Sequence, residues 1–342
     1  MHMADALLSP GVSGVMTAAS VGAMAYACAK MKGSDGPGAG ENNVPVMGVM
    51  GAFVFAAQMI NFTIPATGSS GHIGGGILLA AMLGPYASLL TIAAVLIIQC
   101  LFFADGGLLA LGCNIFNMGV YACFVAYPLI FKPMTRSGAS PGRITAAAVV
   151  SVVVGLQLGA FSVVLQTLLS GVTELPFGTF VLLMQPIHLA IGAVEGLITA
   201  AVLCFVYQAR PSLLDFYTGE KSNAKKSALS FGNTLAVLLV MAALIGGGLS
   251  LFASAYPDGL EWSMEHTAGT AELEREGGAY ESAATIQEAT AFMPDYGFKS
   301  AGDEGSALGT STAGIVGGAL TLALACASGA LVSAFKKHGK DG

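Results

Sequence analysis

The chain has 342 residues, of which 54% are hydrophobic and only 10% charged, with a mean hydropathy of +0.73. Soluble domains carry about 25% charged residues, so this composition indicates a polytopic all-α membrane protein and excludes soluble-core arithmetic. The net charge of −6 offers no basic stripe for nucleic acid, and six Cys residues without a CxxC pattern indicate neither a disulfide frame nor a Cys-type zinc site.

The chain opens Met1-His2-Met3-Ala4-Asp5. No basic n-region or cleavage site marks a removable signal peptide. A second residue as large as His2 is expected to protect Met1 from aminopeptidase and leave its amine free. An α-amine, the next backbone nitrogen and that residue's imidazole Nδ1 can close a five- and a six-membered chelate ring on one metal. A second imidazole completes a planar four-nitrogen set, and His72, in the loop Thr67-Gly-Ser-Ser-Gly-His-Ile-Gly-Gly-Gly76, is the candidate. Tetragonal nitrogen ligation favours Ni(II) or Cu(II) over Zn(II). The plainer alternative stays open here: His2 merely follows the start Met, and His72 caps a glycine turn.

A membrane helix needs about 20 apolar residues, fewer if buried in protein. Spans are expected at 11–31, 45–62, 74–84, 86–104, 113–131, 143–170, 181–207, 230–254 and 308–335. The third is too short to cross alone, and Gly84-Pro85 breaks it from the fourth. Interrupted segments are where transporters often place their sites. Lys30 and Lys32 follow the first span, and Lys132, Arg136 and Arg143 flank the loop after the fifth. Arg210, Lys221, Lys225 and Lys226 follow the seventh, and Lys336, Lys337 and Lys340 the last. With nine spans and an external N-terminus, the positive-inside rule places all of these in the cytoplasm and leaves only Arg275 and Lys299 outside. Met1, His2 and the His72 loop then share the external side. Gly33–Asn43, with its Gly-Pro-Gly, is expected to be a flexible cytoplasmic loop.

Residues 255–307 change character. They hold Asp258, Glu261, Glu265, Glu272, Glu274, Glu276, Glu281, Glu288, Asp295, Asp303 and Glu304, a small acidic external segment between two helices. Seven spans followed by a helix–loop–helix unit suggest a fusion of 1–227 with 228–342. The acidic surface can raise the local cation concentration, the alternative being a merely solvated loop. His266 has no neighbouring His or Cys, so the unit is expected to assist loading without forming the metal cage.

Several other polar residues stand out. His188 and Glu195 share a helix face two turns apart, as a support shell or a bracing hydrogen-bonded pair; ionisable groups within a membrane segment are functional candidates. Asp105, Asn114 and Asn117 sit at the external ends of two spans. They are candidates to hydrogen-bond the loops and orient an imidazole, or else to cap helices. Ser69 and Ser70 can close the His72 loop. Gly14, Ala18 and Gly22, and Ala19, Ala23 and Ala27, form two small-residue ridges on the first helix that let another helix approach closely, whether within the protein or from a partner.

Four segments resemble, as an ordered set over roughly 1–210, the CbiM/NikM family of substrate-capture components of energy-coupling-factor cobalt/nickel transporters. They are Met1-His-Met-Ala-Asp-Ala-Leu-Leu-Ser-Pro10, Gly68-Ser-Ser-Gly-His-Ile-Gly-Gly75, Ala104-Asp-Gly-Gly-Leu-Leu-Ala-Leu-Gly-Cys-Asn-Ile-Phe-Asn-Met-Gly119 and His188-Leu-Ala-Ile-Gly-Ala-Val-Glu-Gly-Leu-Ile-Thr199. Pro257-Asp-Gly-Leu-Glu-Trp262 and Met293-Pro-Asp-Tyr-Gly-Phe298 resemble the PDGLE domain, related to the small CbiN/NikN component. The opening departs from the family's usual Ile-Pro-Asp-Gly at residues three to six, reading Met3-Ala4-Asp5-Ala6 here. The resemblance implies Met1, His2 and His72 as metal ligands, and Ni2+ or Co2+ as transported substrate with no organic cofactor. It also implies docking of a transmembrane coupling subunit on a small-residue face of an early helix.

The chain has no GxxxxGK[ST], so ATP hydrolysis is expected from separate ATPase subunits. The expected function is metal capture at the cell membrane, not enzymatic catalysis. A stand-alone secondary metal transporter is the alternative. An intramembrane metalloenzyme would need a general base beside an open coordination position, and the chain has no HExxH.

Overall fold

The computed structural model describes residues 1–33, 43–136, 138–173, 175–217, 228–271, 273, 275–299 and 307–338. Most of the expected 33–43 loop lies outside these residues. So do the junction at Ser227, Lys221, Lys225, Lys226, Lys340, Glu272, Glu274, Asp303 and Glu304.

Helix follows directly from the apolar runs, because backbone groups in lipid must be satisfied within their own segment. α1 spans Pro10–Gly33 and begins with a proline, whose missing N–H is an orphan position anyway. α2 spans Asn43–Gln58. A short hairpin then interrupts the all-helical pattern: β1 (Phe62–Ile64) pairs antiparallel with β2 (Ser69–Gly71), Ile64 opposite Ser69. α3 spans Gly76–Phe103, but Gly84 (φ 76°, ψ 166°) breaks it immediately before Pro85, at the expected interruption. α4 (Leu111–Ile115) continues as a π-helix over Phe116–Phe131 and then as α5 (Lys132–Arg136). α6 spans Pro141–Ser170, with the Ser140 side chain accepting a hydrogen bond from Arg143 N, and α7 spans Phe177–Ala209. α8 (Phe231–Gly247), α9 (Gly259–Ala268), α10 (Gly278–Thr290) and α11 (Ala307–His338) complete the chain.

Among the described residues six helices are long and apolar enough to cross a membrane: α1, α3, the rod from α4 to α5, α6, α7 and α11; α2 and α8 are shorter apolar helices. α3 folds back at Gly84, because Gln58 bonds both Gly74 O, ahead of its first arm, and Gln99 on its second. Its apolar window is 78% buried, against 17% for α1, so α1 is a peripheral helix with most of its surface uncovered. α8 and α11 dock on α2. A Cβ on Gly317 would fall on the Phe55 ring, and one on Gly246 would meet the Gly314 backbone, so these contacts are backbone-close. The two C-terminal helices therefore belong to the same bundle, and the described part of the segment between them reaches the end where Met1 and His72 lie, through Asp258 on Met1 and Pro257 on Ser70.

Candidate metal centre

The N-terminal segment is held by the core. Met1, Met3, Leu7 and Leu8 are all buried. Asn114, on α4, grips Met3 twice: its Oδ1 accepts from Met3 N (2.8 Å) and its Nδ2 donates to Met3 O (3.3 Å). Gly107 N donates to Met3 O (2.9 Å) and Ala110 N to Asp5 Oδ1 (2.9 Å). Burial pushes the Asp5 carboxyl above its ordinary value. Four buried side chains and four hydrogen bonds thus fix the first residues against the 104–114 loop, and Asn114 serves the loop instead of capping a helix.

The His72 loop is set from two sides. Gln58 Nε2, itself paired through Oε1 with Gln99 Nε2 (2.8 Å), donates to Gly74 O (3.0 Å). Gly75 N donates to Glu195 Oε1 of α7 (3.0 Å). A Cβ on Gly71 would stand 2.6 Å from Ile191 Cγ1, so only glycine lets β2 lie this close to α7. His72 Nδ1 lies 3.0 Å from Ile73 O. A carbonyl can only accept, so Nδ1 carries the proton and Nε2 is left with its lone pair.

These fixed pieces meet. Met1 N lies 3.4 Å from His72 Nε2, and the rings of His2 and His72 stack with centroids 5.2 Å apart and planes 16° from parallel. His2 Nδ1 is 3.3 Å from Asp105 Oδ1. Burial lowers the His2 pKa, and burial followed by the neighbouring ammonium and His2 lowers that of His72 to about 3, so both rings are held neutral as metal ligands require. Among the described residues no group of three His, Cys, Asp or Glu side chains forms a ligand set; the backbone amine is what completes a cluster here.

Other expected members are nearby in different roles. Asp105 orients His2 and is itself held by Tyr296 OH. Asn117 pairs twice with Gln166 (2.8 and 2.9 Å) and touches Met3 Sδ, so it braces the wall below. His188 and Glu195 do not bond each other: His188 Nδ1 donates to Met184 O (2.8 Å), while Glu195 holds the His72 loop. His188 Nε2 is buried without a partner. A cavity of about 40 Å³, bordered among others by Met1, His72, Asn117, His188, Glu195 and Asp258, runs inward beneath the amine, roomy enough for ordered water. On α1, Gly14, Ala18 and Gly22 are exposed, whereas the second ridge turns inward from exposed Ala19 to fully buried Ala27.

The C-terminal segment enters this centre, which the diffuse-surface expectation missed. Met1 N forms an ion pair with Asp258 Oδ2. Burial alone would raise the Asp258 pKa, but the Met1 ammonium holds it well below the carboxylate range. Ser69 and Ser70, expected to close the loop, instead receive this segment: Ser70 N donates to Pro257 O (2.8 Å) and Ser70 Oγ to Tyr256 O (2.7 Å), with Ser69 Oγ 3.4 Å from Pro257 O. Trp262 Nε1 donates to Thr67 O (2.9 Å), Tyr280 OH to Leu8 O (2.8 Å), and Gln287 Nε2 to Gly106 O (2.9 Å). His266 stays on the surface against Trp262. The available sequence signal was Pro257-Asp-Gly itself, an Asx-type turn among a crowd of exposed acidic residues.

Comparison with known proteins agrees with this organisation. Residues 2–213 match the family described as the cobalt uptake substrate-specific transmembrane region, and residues 232–334 match the PDGLE domain. The chain is 32% identical over 326 residues to a putative fused nickel transport protein NikMN of Archaeoglobus fulgidus, covering 95% of this chain and 96% of that one. It is 33% identical over 174 residues to the cobalt transport protein CbiM of Sorangium cellulosum, covering 50% of this chain and 76% of that one. A crystal structure of a truncated transition metal transporter aligns with a TM-score of 0.52 at 32% identity, covering 60% of this chain and 98% of that one.

Proposed function

Because this chain belongs to the nickel/cobalt transport family defined by the cobalt uptake substrate-specific transmembrane region, with a fused C-terminal PDGLE domain, we propose that it captures Ni2+ or Co2+ at the outer face of the cell membrane. The chain is a multi-pass helical membrane protein. The observation that carries the proposal is the approach of the Met1 amine to His72 Nε2 at 3.4 Å, beside a stacked His2.

A metal–nitrogen bond of about 2.0 Å puts the centroids of two ligating rings about 4.5 Å apart at a right angle and about 6 Å apart in line. The observed 5.2 Å falls inside that interval. Met1 N, His2 N, His2 Nδ1 and His72 Nε2 then form the planar set, with the His2 ring exchanging Asp105 for the ion. Binding releases the ammonium proton, as metal ligation of a protonated set must. Glu195 and Asn114 hold the loops, and His188 lines the cavity below.

Transport is proposed to be driven by separate ATPase subunits through a transmembrane coupling subunit. The exposed Gly14–Ala18–Gly22 ridge supports docking of that subunit on α1, since a Cβ on Gly14 or Gly22 would meet nothing within 4 Å. The N-terminus is external and the C-terminus cytoplasmic in this reading, as the distribution of Lys and Arg supports. Residues 1–227 form the capture unit and 228–342 the helper. Titration of purified protein with Ni(II) and Co(II) tests capture, with one tightly bound ion per chain as the expected result. Uptake into vesicles with and without the ATPase complex tests coupling; ATP-independent uptake would favour the secondary transporter.

A further inference from the structure

We propose that Asp258 of the PDGLE turn supplies a carboxylate oxygen to the same ion that the N-terminal nitrogens hold, as a donor off their plane. The proposal rests on the capture reading above and adds one ligand to it, from a part of the chain 256 residues away from His2.

The first observation is spacing. Two donors each about 2.0–2.1 Å from one ion lie about 2.9 Å apart at a right angle and about 3.4 Å apart at about 110°. Met1 N and His72 Nε2 are 3.4 Å apart, and Asp258 Oδ2 is in direct contact with Met1 N. The Asp258 contact is a proton-mediated pair with the ammonium, so once the amine gives up that proton to an ion this carboxylate is the negative group left beside it. In the capture reading the four nitrogens occupy the plane, so a carboxylate joining them would do so from outside it.

The second observation is that the two oxygens of Asp258 have separate employment. Oδ1 accepts from Leu260 N (2.7 Å) and Glu261 N (3.0 Å), capping α9. Glu261 Oε2 closes the reciprocal bond to Asp258 N (2.9 Å). This capping box fixes the carboxylate's orientation and leaves Oδ2 facing the centre. Ligating groups are ordinarily oriented by such outer hydrogen bonds. A carboxylate placed only to cap a helix would have no reason to lie against a buried amine.

The third is that the surrounding motif is shaped for the approach. Pro257 O takes Ser70 N, extending the β hairpin by one bridge between Ser70 and Asp258. A Cβ on Gly259 would stand 2.8 Å from Ile191 Cδ1 and 3.0 Å from His188 Cε1, so glycine is needed for the turn to enter the space above α7. Leu260 is buried and Trp262 is tied to Thr67 O. Each residue of Pro257-Asp-Gly-Leu-Glu thus serves to seat one oxygen at one point.

The test is X-ray absorption at the nickel edge on the full-length chain with its natural N-terminus, loaded with one equivalent of Ni(II). Asp258→Asn keeps the helix cap, because Asn caps as well as Asp, and Asp258→Ala removes it. The wild-type chain is expected to show at least five nitrogen and oxygen donors and no edge feature of a planar four-coordinate ion. Both variants are expected to lose one oxygen donor and to develop the planar feature. Their affinity should drop about 10- to 100-fold, the usual cost of losing one partner at a metal site. Indistinguishable spectra from wild type and both variants would overturn the proposal, since a carboxylate that only caps the helix or pairs with the amine leaves the coordination shell unchanged. His72→Ala separates the two levels: if that variant keeps the wild-type shell and affinity, the capture site itself is misplaced, independently of Asp258.

Discussion

Two segments far apart in the chain reach the same point by different means. Met1–Leu8 is threaded into the bundle, with Met3, Leu7 and Leu8 fully buried and two backbone groups, Met3 N and Met3 O, clasped by residues 104–114. The described residues of 257–296 lie on top. α10 is exposed along most of its length, and it attaches through single contacts such as Tyr280 to Leu8 O and Gln287 to Gly106 O. The proposed nitrogen donors are thus part of the core, whereas the PDGLE turn is a cover laid over them. Damage to the first should remove binding, and damage to the second should only modify it.

The largest effect is expected from the N-terminus. An uncleaved extension before Met1 converts the amine to an amide and must find room where Met1 is only 6% exposed. Tight binding of Ni(II) or Co(II) should vanish in calorimetric titration, while a C-terminal tag leaves it intact. An extended protein with full affinity would erase the distinction between core donors and cover.

His72→Ala comes next. It removes one of the four proposed nitrogens and should weaken binding by about two orders of magnitude, equivalent to ~2.7 kcal/mol. The ring is only partly buried and bonds its own neighbour's carbonyl, so the melting temperature should stay close to that of the wild type. A folded variant with unchanged affinity would remove His72 from the site.

Ending the chain near Ser227 sharpens the comparison from the other side. Such a protein keeps every nitrogen donor and should still bind one ion, about tenfold more weakly if only Asp258's contribution is lost. It should take up radioactive nickel or cobalt poorly alongside the ATPase complex. Complete loss of equilibrium binding would show that the N-terminal nitrogens do not hold the ion without the cover.

The smallest effect belongs to His188→Ala. Nε2 borders the cavity but bonds nothing, and Nδ1 is spent on Met184 O within α7. Affinity should change by no more than about threefold, ~0.6 kcal/mol. A loss matching that of His72→Ala would move the metal down into the cavity.

Much of this was legible without coordinates. Long apolar runs dictate helices because lipid satisfies no backbone group, and Gly84-Pro85 announces its break by the residue types alone. The proposed Met1-His2 chelate is likewise readable there, because its donors are covalent neighbours, with ring sizes fixed by bonding. His72 joins them on sidedness, which charge counts along the chain supply. Local chemistry of this kind travels with the sequence. The tertiary structure decided what depends on distant packing: that Asn114 holds Met3, that His188 and Glu195 face different partners, and that Ser69 and Ser70 receive Pro257 and Tyr256. It also decided which acidic residue matters. Asp258 resembles the other carboxylates of its segment in composition and hydropathy. What singles it out is a glycine narrow enough to pass Ile191, a helix start that turns one oxygen inward, and an amine brought to it from the far end of the chain. No periodicity records a contact between residues 1 and 258, because only the closed bundle places them together.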